Sequence, residues 1–322
     1  MAVYTRFTNQ ELLNFLSCYN IGDFQTITEI EQGVENSNYI LTTSLGKYIL
    51  TIYEKRVNVG DLPYFLSFSE YLNQNHINTP QPIRNNLQES FTDFKNKKAA
   101  IIQFLEGHNL DIPNVFQCAS AGDYVAKMHL AQKDFPQTRP NTLSPSGSLW
   151  LLFDRINHDI QEKMPALYPI ITQEVTFLKA HYPIDGLEKG NIHADIFPDN
   201  MFFEHNRAIG IIDFYFSCTD FLLFDLAITL CAWCFDKGIF VFEKYHALIN
   251  AYQNIKPLTD IEKKLLCTLM RGAAMRFFLT RANDFIFHDK NALVKPKDPQ
   301  EYYNILLFLQ DNTHQAQLQD IL

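Results

Sequence analysis

The chain has 322 residues, 47% of them hydrophobic and 20% charged, with 27 Phe and 15 Tyr; this excludes a largely disordered chain and leaves two lobes or one large fold. A formal net charge of −9 without a basic run gives nucleic acid and an anionic membrane surface no electrostatic footprint. The opening MAVYTRFTNQEL has no charged segment leading into an apolar one. The longest apolar stretch, Phe221 to Phe235, is short and broken by Asp225, so the cytoplasm is the expected location.

Thr8-Asn9-Gln10-Glu11 reads as a capping box opening a short helix towards Cys18. From Thr26 to Glu54, β-branched and aromatic runs broken at Gly33 and at Leu45-Gly46 predict three antiparallel strands. The period from Asp61 to Asn75 predicts an amphipathic helix, with Pro63 tolerated in its first turn, that packs on the sheet. After the loop TPQPI, Lys98 to Leu105 reads as a short apolar strand, and the lobe boundary is placed there: residues 1–105 as a nucleotide-binding lobe, 106–322 as a helical lobe.

Helices are expected over 114–131, 149–163, 172–181, 221–235, 240–253 and 260–287, the last opened by a second capping box, Thr259-Asp260-Ile261-Glu262. Within this part only Met201 to Phe214 reads as a β-hairpin, and Gln137 to Gly147 reads as a loop. Six scattered cysteines are expected as buried thiols. Cys231 and Cys234 form a C-x-x-C on one turn of an apolar helix with no second ligand pair, which favours core packing over zinc.

The stretch GNIHADIFPDNM, Gly190 to Met201, concentrates two aspartates, a histidine and two asparagines between apolar runs, and GIIDFYF follows with Asp213 at the end of an apolar strand. An isolated Asp-Asn loop is usually an Asx-turn. Phosphoryl transfer, however, needs positioning, a metal on the phosphates and a carboxylate beside the acceptor hydroxyl, and a strand returning Asp213 beside Asp195 and Asn200 would supply those oxygens at one point. Asp199 is read as a solvated turn residue.

His193-x-Asp195-x-x-x-x-Asn200 followed by Ile212-Asp213-Phe214 resembles the catalytic loop and metal motif of the aminoglycoside-phosphotransferase-like and choline-kinase-like small-molecule kinases. That resemblance implies an α+β, bilobal protein-kinase-like fold, with a small antiparallel-sheet lobe and a large, mostly helical one. It implies ATP and Mg²⁺ as cofactors, Asp195 as catalytic base, Asn200 and Asp213 as metal ligands, and His193 as a brace of the loop. Asp225 is either a helix-start capping acid or, as in these kinases, a brace of the active-site loops. The phosphate loop falls on Glu31 to Leu41, where Gly33, Asn36 and Asn38 are the candidate nucleotide contacts. Gln103, Phe104 and Leu105 form the expected adenine hinge. One departure is clear: Thr51 stands on the third strand where these kinases usually carry a phosphate-binding Lys or Arg. Lys47, Lys55 or a cation of the second lobe are the substitutes, and Glu70 is the helix acid nearest the usual ion-pair position.

MAVYT, EQGVENSNYIL, YILTIYE, IDFYFSCTDFLLFDLAITLCAWCF, RGAAMRFFLTRANDF and KPKDPQEYYNIL together are similar to the bacterial type II homoserine kinases, including the Thr at the lysine position. This implies transfer of the γ-phosphoryl group of ATP to the side-chain hydroxyl of L-homoserine, a step towards threonine. A zwitterionic substrate calls for a cation at its carboxylate, and Arg276 and Arg281 are the candidates; Asp195 or Asp220 is offered to the ammonium. Arg271, Arg276 and Arg281 recur every five residues, each turned about 140° from the last, so all three cannot face one pocket. The alternatives are a kinase for choline, methylthioribose or an aminoglycoside, with Trp233 and Tyr215 among the aromatics available to cage a choline, and a non-catalytic pseudokinase module.

Overall fold

The structure, a computed structural model, describes residues 4–30, 36–54, 57–182, 184–288 and 295–322. Gly33 and Lys55, both named above as nucleotide contacts or substitutes, lie outside the described residues. The described chain forms two compact units: residues 4–106 with 210–215, and residues 107–209, 216–288 and 295–322.

In the first unit, helix α1 (Asn9–Leu16) starts at the expected capping box, with both the Thr8 and Glu11 side chains closing onto backbone amides. Strands β1 (Phe24–Glu29), β2 (Ser37–Thr43) and β3 (Gly46–Ile52) follow, then α2 (Leu62–Gln74), β4 (Thr92–Phe94) and β5 (Lys97–Gln103). They make one five-stranded sheet in the order β1-β2-β3-β5-β4, antiparallel at each junction. Strand β2 alternates buried and half-buried positions along its length, so its inward residues join Leu12, Phe15, Leu50, Ile52 and Ile101 in a core under α1. Strand β4 was not anticipated, because three residues are too few to display alternation; β5 ends at Gln103, which leaves Phe104 and Leu105 as connection.

The second unit holds α3 (Val115–Ala131), α4 (Leu149–Lys163), α5 (Tyr168–His181), β6 (Lys189–Ile192), β7 (Met201–Glu204), β8 (Arg207–Ile211), β9 (Cys218–Phe221), α6 (Leu222–Trp233), α7 (Phe242–Ile255), α8 (Asp260–Ile286), α9 (Gln300–Gln310) and α10 (Asn312–Ile321), with the chain entering the first unit at Gly210, inside β8. Strands β7 and β8 pair across the turn at His205-Asn206, while β6 pairs antiparallel with β9. Helix α6 is buried nearly all round, as its unbroken apolar run requires. Cys231 and Cys234 lie in that core as free thiols, and burial pushes both thiols up; the packing reading of the C-x-x-C holds. Helices α3 and α7 meet at Gly122, where a Cβ would stand 2.1 Å from the Leu248 carbonyl oxygen. Helix α5 begins at Tyr168, earlier than expected, with Pro169 in its first turn. Among the described residues, no helix is long and apolar enough to cross a membrane.

Candidate active site

Strand β6 delivers the chain into a loop whose backbone is unusual at one residue: Ala194 has φ 64°, in the left-handed region that disfavours any side chain with a Cβ. Asp225, in the first turn of α6 and wholly buried, holds this conformation. Its Oδ2 accepts the His193 amide at 3.0 Å and its Oδ1 accepts the Ala194 amide at 2.7 Å. His129 Nε2 of α3 lies 3.2 Å from Asp225 Oδ2, and His129 Nδ1 lies 2.9 Å from the Tyr252 hydroxyl of α7. An ionised carboxylate only accepts, so Nε2 carries the proton and Nδ1 takes the tyrosine hydroxyl. Burial alone would raise the Asp225 carboxyl, but the bonds from His129 and the backbone outweigh it and leave the group below the usual carboxylate range. Asp225 is the brace that the sequence offered as one of two readings.

Three further groups fix the same loop. The Asp195 amide donates to His193 Nδ1 at 3.2 Å, with the imidazole fully buried, so His193 braces the loop. The Trp233 indole donates to the Ile196 carbonyl at 3.0 Å. Arg276 of α8 donates through Nη1 to the Ala194 carbonyl, with its guanidinium over the Phe277 and Phe216 rings at 4.6 and 5.5 Å. Trp233 is wholly buried, which removes it from the aromatics available to a choline cage.

The braced loop presents Asp195. Its Oδ2 accepts Asn200 Nδ2 at 3.0 Å, and the same Nδ2 donates to the Asp195 carbonyl at 2.9 Å, so the expected pair is brought together. With its amide nitrogen turned onto Asp195, Asn200 keeps its carbonyl oxygen for another partner. Burial raises the Asp195 carboxyl to about 6, against the lowering pull of the Arg276 charge; Asp199 pushes it further up and Lys297 pulls it down. A carboxylate poised there is ionised at neutral pH and still basic enough to take a proton from an alcohol. Asp199 itself is exposed, 3.9 Å from Lys297.

The three arginines of α8 point to three places, as their spacing requires. Arg271 forms a two-pronged pair with the buried Glu174 of α5, at 2.7 and 2.5 Å, over the Phe177 ring. Arg276 reaches the Ala194 loop. Arg281 pairs with Glu301 of α9, accepts the Tyr302 ring under its guanidinium at 4.5 Å, and donates to the Asp298 carbonyl at 3.4 Å. Asp220 is also engaged: it accepts Asn141 Nδ2 at 2.8 Å and the Phe221 amide at 2.8 Å, and burial raises its carboxyl.

Asp213 belongs to the first unit and, like Ala194, has a left-handed backbone, φ 66°. Its neighbours rivet it there: Phe214 meets Phe68 of α2 edge-on at 5.8 Å, and the Ile211 amide donates to the Asn78 carbonyl at 3.2 Å. In the same unit Asn36 is buried and accepts the Glu54 amide at 3.2 Å, while Asn38 accepts the Thr51 hydroxyl at 2.9 Å. The Gln103 amide is taken by the Gln81 carbonyl at 2.8 Å, whereas the amides of Phe104, Leu105 and Glu106 have no acceptor among the described residues. Lys47 lies over the Phe104 ring at 5.7 Å, and Glu70 pairs with Arg84 at 2.6 Å, so Glu70 is a surface ion-pair partner.

His129, Gln132 and Arg139 were missed by sequence reasoning. The Gln132 side chain accepts the Asn191 amide at 2.8 Å; the Arg139 backbone carbonyl accepts the Thr219 amide at 2.6 Å while its guanidinium donates to the Ser217 carbonyl at 3.1 Å. None of the three sits in a motif, and each meets its partner only through the tertiary fold.

Comparison with known proteins places this geometry. The model of the phosphotransferase enzyme family, APH, matches residues 26–258. A homoserine kinase of Rhodopseudomonas palustris (strain BisB5) is 46% identical over 313 residues, covering 97% of this chain and 95% of that protein. One of Bradyrhizobium sp. (strain ORS 278) is 46% identical over 313 residues, covering 96% of each. Among solved structures, amicoumacin kinase hAmiN in complex with AMP-PNP, Ca²⁺ and Ami aligns with a TM-score of 0.68 at 16% identity, over 98% of this chain and 94% of that one. Spectinomycin phosphotransferase APH(9)-Ia, in complex with ADP and spectinomycin, aligns at 0.66 and 14% identity, over 99% and 100%. These likenesses show the protein-kinase-like fold expected from the sequence. The chain belongs to the phosphotransferase enzyme family, in the branch formed by the homoserine kinases.

Proposed function

We propose that the protein is an ATP-dependent homoserine kinase that moves the γ-phosphoryl group of ATP to the side-chain hydroxyl of L-homoserine, giving O-phospho-L-homoserine and ADP. The observation that carries this reading is the near-half identity, over almost the whole of both chains, to relatives named homoserine kinase. The braced loop gives it chemistry. As the homoserine oxygen bonds to the γ-phosphorus and the bridge to the β-phosphate breaks, Asp195 accepts the hydroxyl proton. The rigid anchoring of Ala194 by Asp225 and Arg276 holds that carboxylate in place before substrate arrives.

The nucleotide is assigned to the lobe ending at residue 105, with the backbone of Gln103, Phe104 and Leu105 as the adenine hinge and Gly33, Asn36 and Asn38 at the phosphates. The amides beyond Gln103, which have no acceptor among the described residues, support the hinge. Asn200 and Asp213 fit Mg²⁺ by their chemistry: one offers an amide oxygen turned away from Asp195, the other a carboxylate, and both are hard oxygen donors. When bound there, Mg²⁺ supplies neutralisation of phosphate charge. Of the two arginines offered to the substrate carboxylate, Arg276 borders Asp195 and is the better placed, while Arg281 is held by Glu301 and would have to leave it.

Steady-state ADP release with L-homoserine, choline, methylthioribose and an aminoglycoside as acceptors tests the assignment, with ³¹P NMR identifying the phosphate ester. Turnover of L-homoserine well above the others is expected. Preference for another acceptor overturns the substrate, and nucleotide binding without turnover of any acceptor favours the non-catalytic alternative.

A further inference from the structure

The segment KPKDPQEYYNIL, Lys295 to Leu306, takes no part in the chemistry described so far, yet it borders the Asp195 loop. Residues 195–200 form a closed turn. The Phe197 amide donates to the Asp195 carbonyl at 2.9 Å, the Asn200 amide donates to the Phe197 carbonyl at 3.0 Å, and Asn200 Nδ2 returns to Asp195. Lys297 meets this turn at two points, its ammonium 5.4 Å from the centre of the Phe197 ring and 3.9 Å from Asp199 Oδ2. The backbone that carries it is held. Prolines at 296 and 299 fix φ on either side. The Asp298 carbonyl accepts Arg281 Nη1 at 3.4 Å, and Asp298 Oδ1 accepts the Gln300 amide at 2.9 Å. Arg281 is itself fixed by Glu301 and by the Tyr302 ring; Tyr302 stacks on Phe277 at 5.0 Å, and Phe277 meets Phe197 edge-on at 5.0 Å. A run of contacts therefore ties α8 and α9 to the turn, with Lys297 at its end.

While its backbone is fixed, the Lys297 side chain stands on a flexible four-carbon stem and is 61% exposed. Its pairing with Asp199, an exposed carboxylate at the outer limit of an ion pair, contributes little to stability, so a solute anion can displace it. Arg276 and Arg281 are both buried. Of these three cations, Lys297 is the one that solvent reaches. In L-homoserine four single bonds separate the hydroxyl oxygen from the carboxylate carbon, a reach of about 5 Å. With the hydroxyl at Asp195 the carboxylate stays beside the same turn, and a cation that reads it has to border that turn, as Lys297 does.

We propose that Lys297 is a specificity-determining residue of the acceptor site: its ammonium leaves Asp199 and pairs with the α-carboxylate of the amino-acid acceptor whose hydroxyl lies at Asp195, while Arg281 positions the segment that carries it. This rests on the kinase reading above and names the residue by which that site tells an amino acid from a plain amino alcohol.

The test is steady-state turnover by the full chain of L-homoserine and of L-homoserinamide, which keeps the hydroxyl and the ammonium but lacks the negative charge, for the wild type, Lys297→Met and Lys297→Arg. The side chain is exposed, so both variants should fold, which circular dichroism verifies. Lys297→Met should lose about 10- to 100-fold in kcat/KM for L-homoserine, carried by KM, the size of one hydrogen bond between charged groups, with kcat/KM for the amide within about 2-fold of wild type. Lys297→Arg should recover most of the loss. Where the amide turns over too slowly to time, its inhibition constant against L-homoserine takes its place. A role in holding the turn would lower turnover of both acceptors equally, and a role at the phosphates would raise KM for ATP with the preference for L-homoserine kept. Either result, or an unchanged preference in Lys297→Met, overturns the proposal. A wild type that turns over neither acceptor would instead overturn the kinase reading itself.

Discussion

Replacing Asp225 with Asn is the most informative single perturbation of the scaffold, because nearly the same shape is kept while one charge is lost. The carboxylate accepts two backbone amides, from His193 and Ala194, and faces His129 Nε2. An asparagine can keep only one of its two oxygens; the amide nitrogen that replaces the other meets a donor instead of an acceptor. The loss is one charge-assisted hydrogen bond, about 1.5–3 kcal/mol, plus one orphaned buried donor, about 1–3 kcal/mol, so about 2.5–6 kcal/mol in all. Against a typical total of about 5–15 kcal/mol this is a large fraction. Both tryptophans, Trp150 and Trp233, lie in the second unit, so denaturant unfolding followed by their fluorescence reads the affected part. The effect has a pH signature. The Asp225 carboxyl lies below its ordinary value in the folded chain, so its stabilisation is full above the unfolded value of about 4 and fades as pH falls through the folded one. The difference between wild type and variant should therefore shrink in acid. A loss below about 1 kcal/mol at neutral pH, with turnover unchanged, would refute the claim that Asp225 holds the loop.

Three other outcomes are expected. With the Asp195 carboxyl raised to about 6, kcat/KM for the alcohol should fall tenfold per pH unit below that value and flatten above it, and a profile flat from pH 5 to 8 would remove Asp195 from proton transfer. Gly122→Ala drives a methyl against the Leu248 carbonyl and should cost about 1–3 kcal/mol in a melt, with KM for ATP unchanged. Arg271→Met leaves the buried Glu174 with Gln310 as its remaining partner among the described residues and should destabilise by about 3–5 kcal/mol; a neutral result would mean that the Arg271–Glu174 pair does little for the α5–α8 packing.

Much of this architecture was legible in the sequence, and for identifiable reasons. The capping boxes at Thr8 and Thr259 form as read, and long amphipathic or apolar runs became α2, α3, α4, α6 and α8 close to their expected bounds. Strands β6 and β9 were not foreseen because four residues hold too little alternation, and each is defined by its partner, Lys189 opposite Phe221, across the intervening hairpin. Helices α9 and α10 went unread behind the polar, Pro-interrupted stretch that precedes Gln300. At the site, Asp195 and Asn200 were visible because five residues of spacing put them in one loop. The His129 contact to Asp225 was not, since it spans 96 residues and a lone histidine on a helix carries no local signal. Arg276 was picked for charge, whereas its donation to the Ala194 carbonyl could be known only from the fold.

The central claim is that the Asp195 carboxylate takes the proton of an alcohol during phosphoryl transfer. Asp195→Asn, assayed for turnover of L-homoserine alongside ATP binding by titration, tests it most directly. A fall in kcat of about 10²–10⁴, with the Kd for ATP within about 3-fold of wild type, is predicted. A variant that turns over at near the wild-type rate would contradict it.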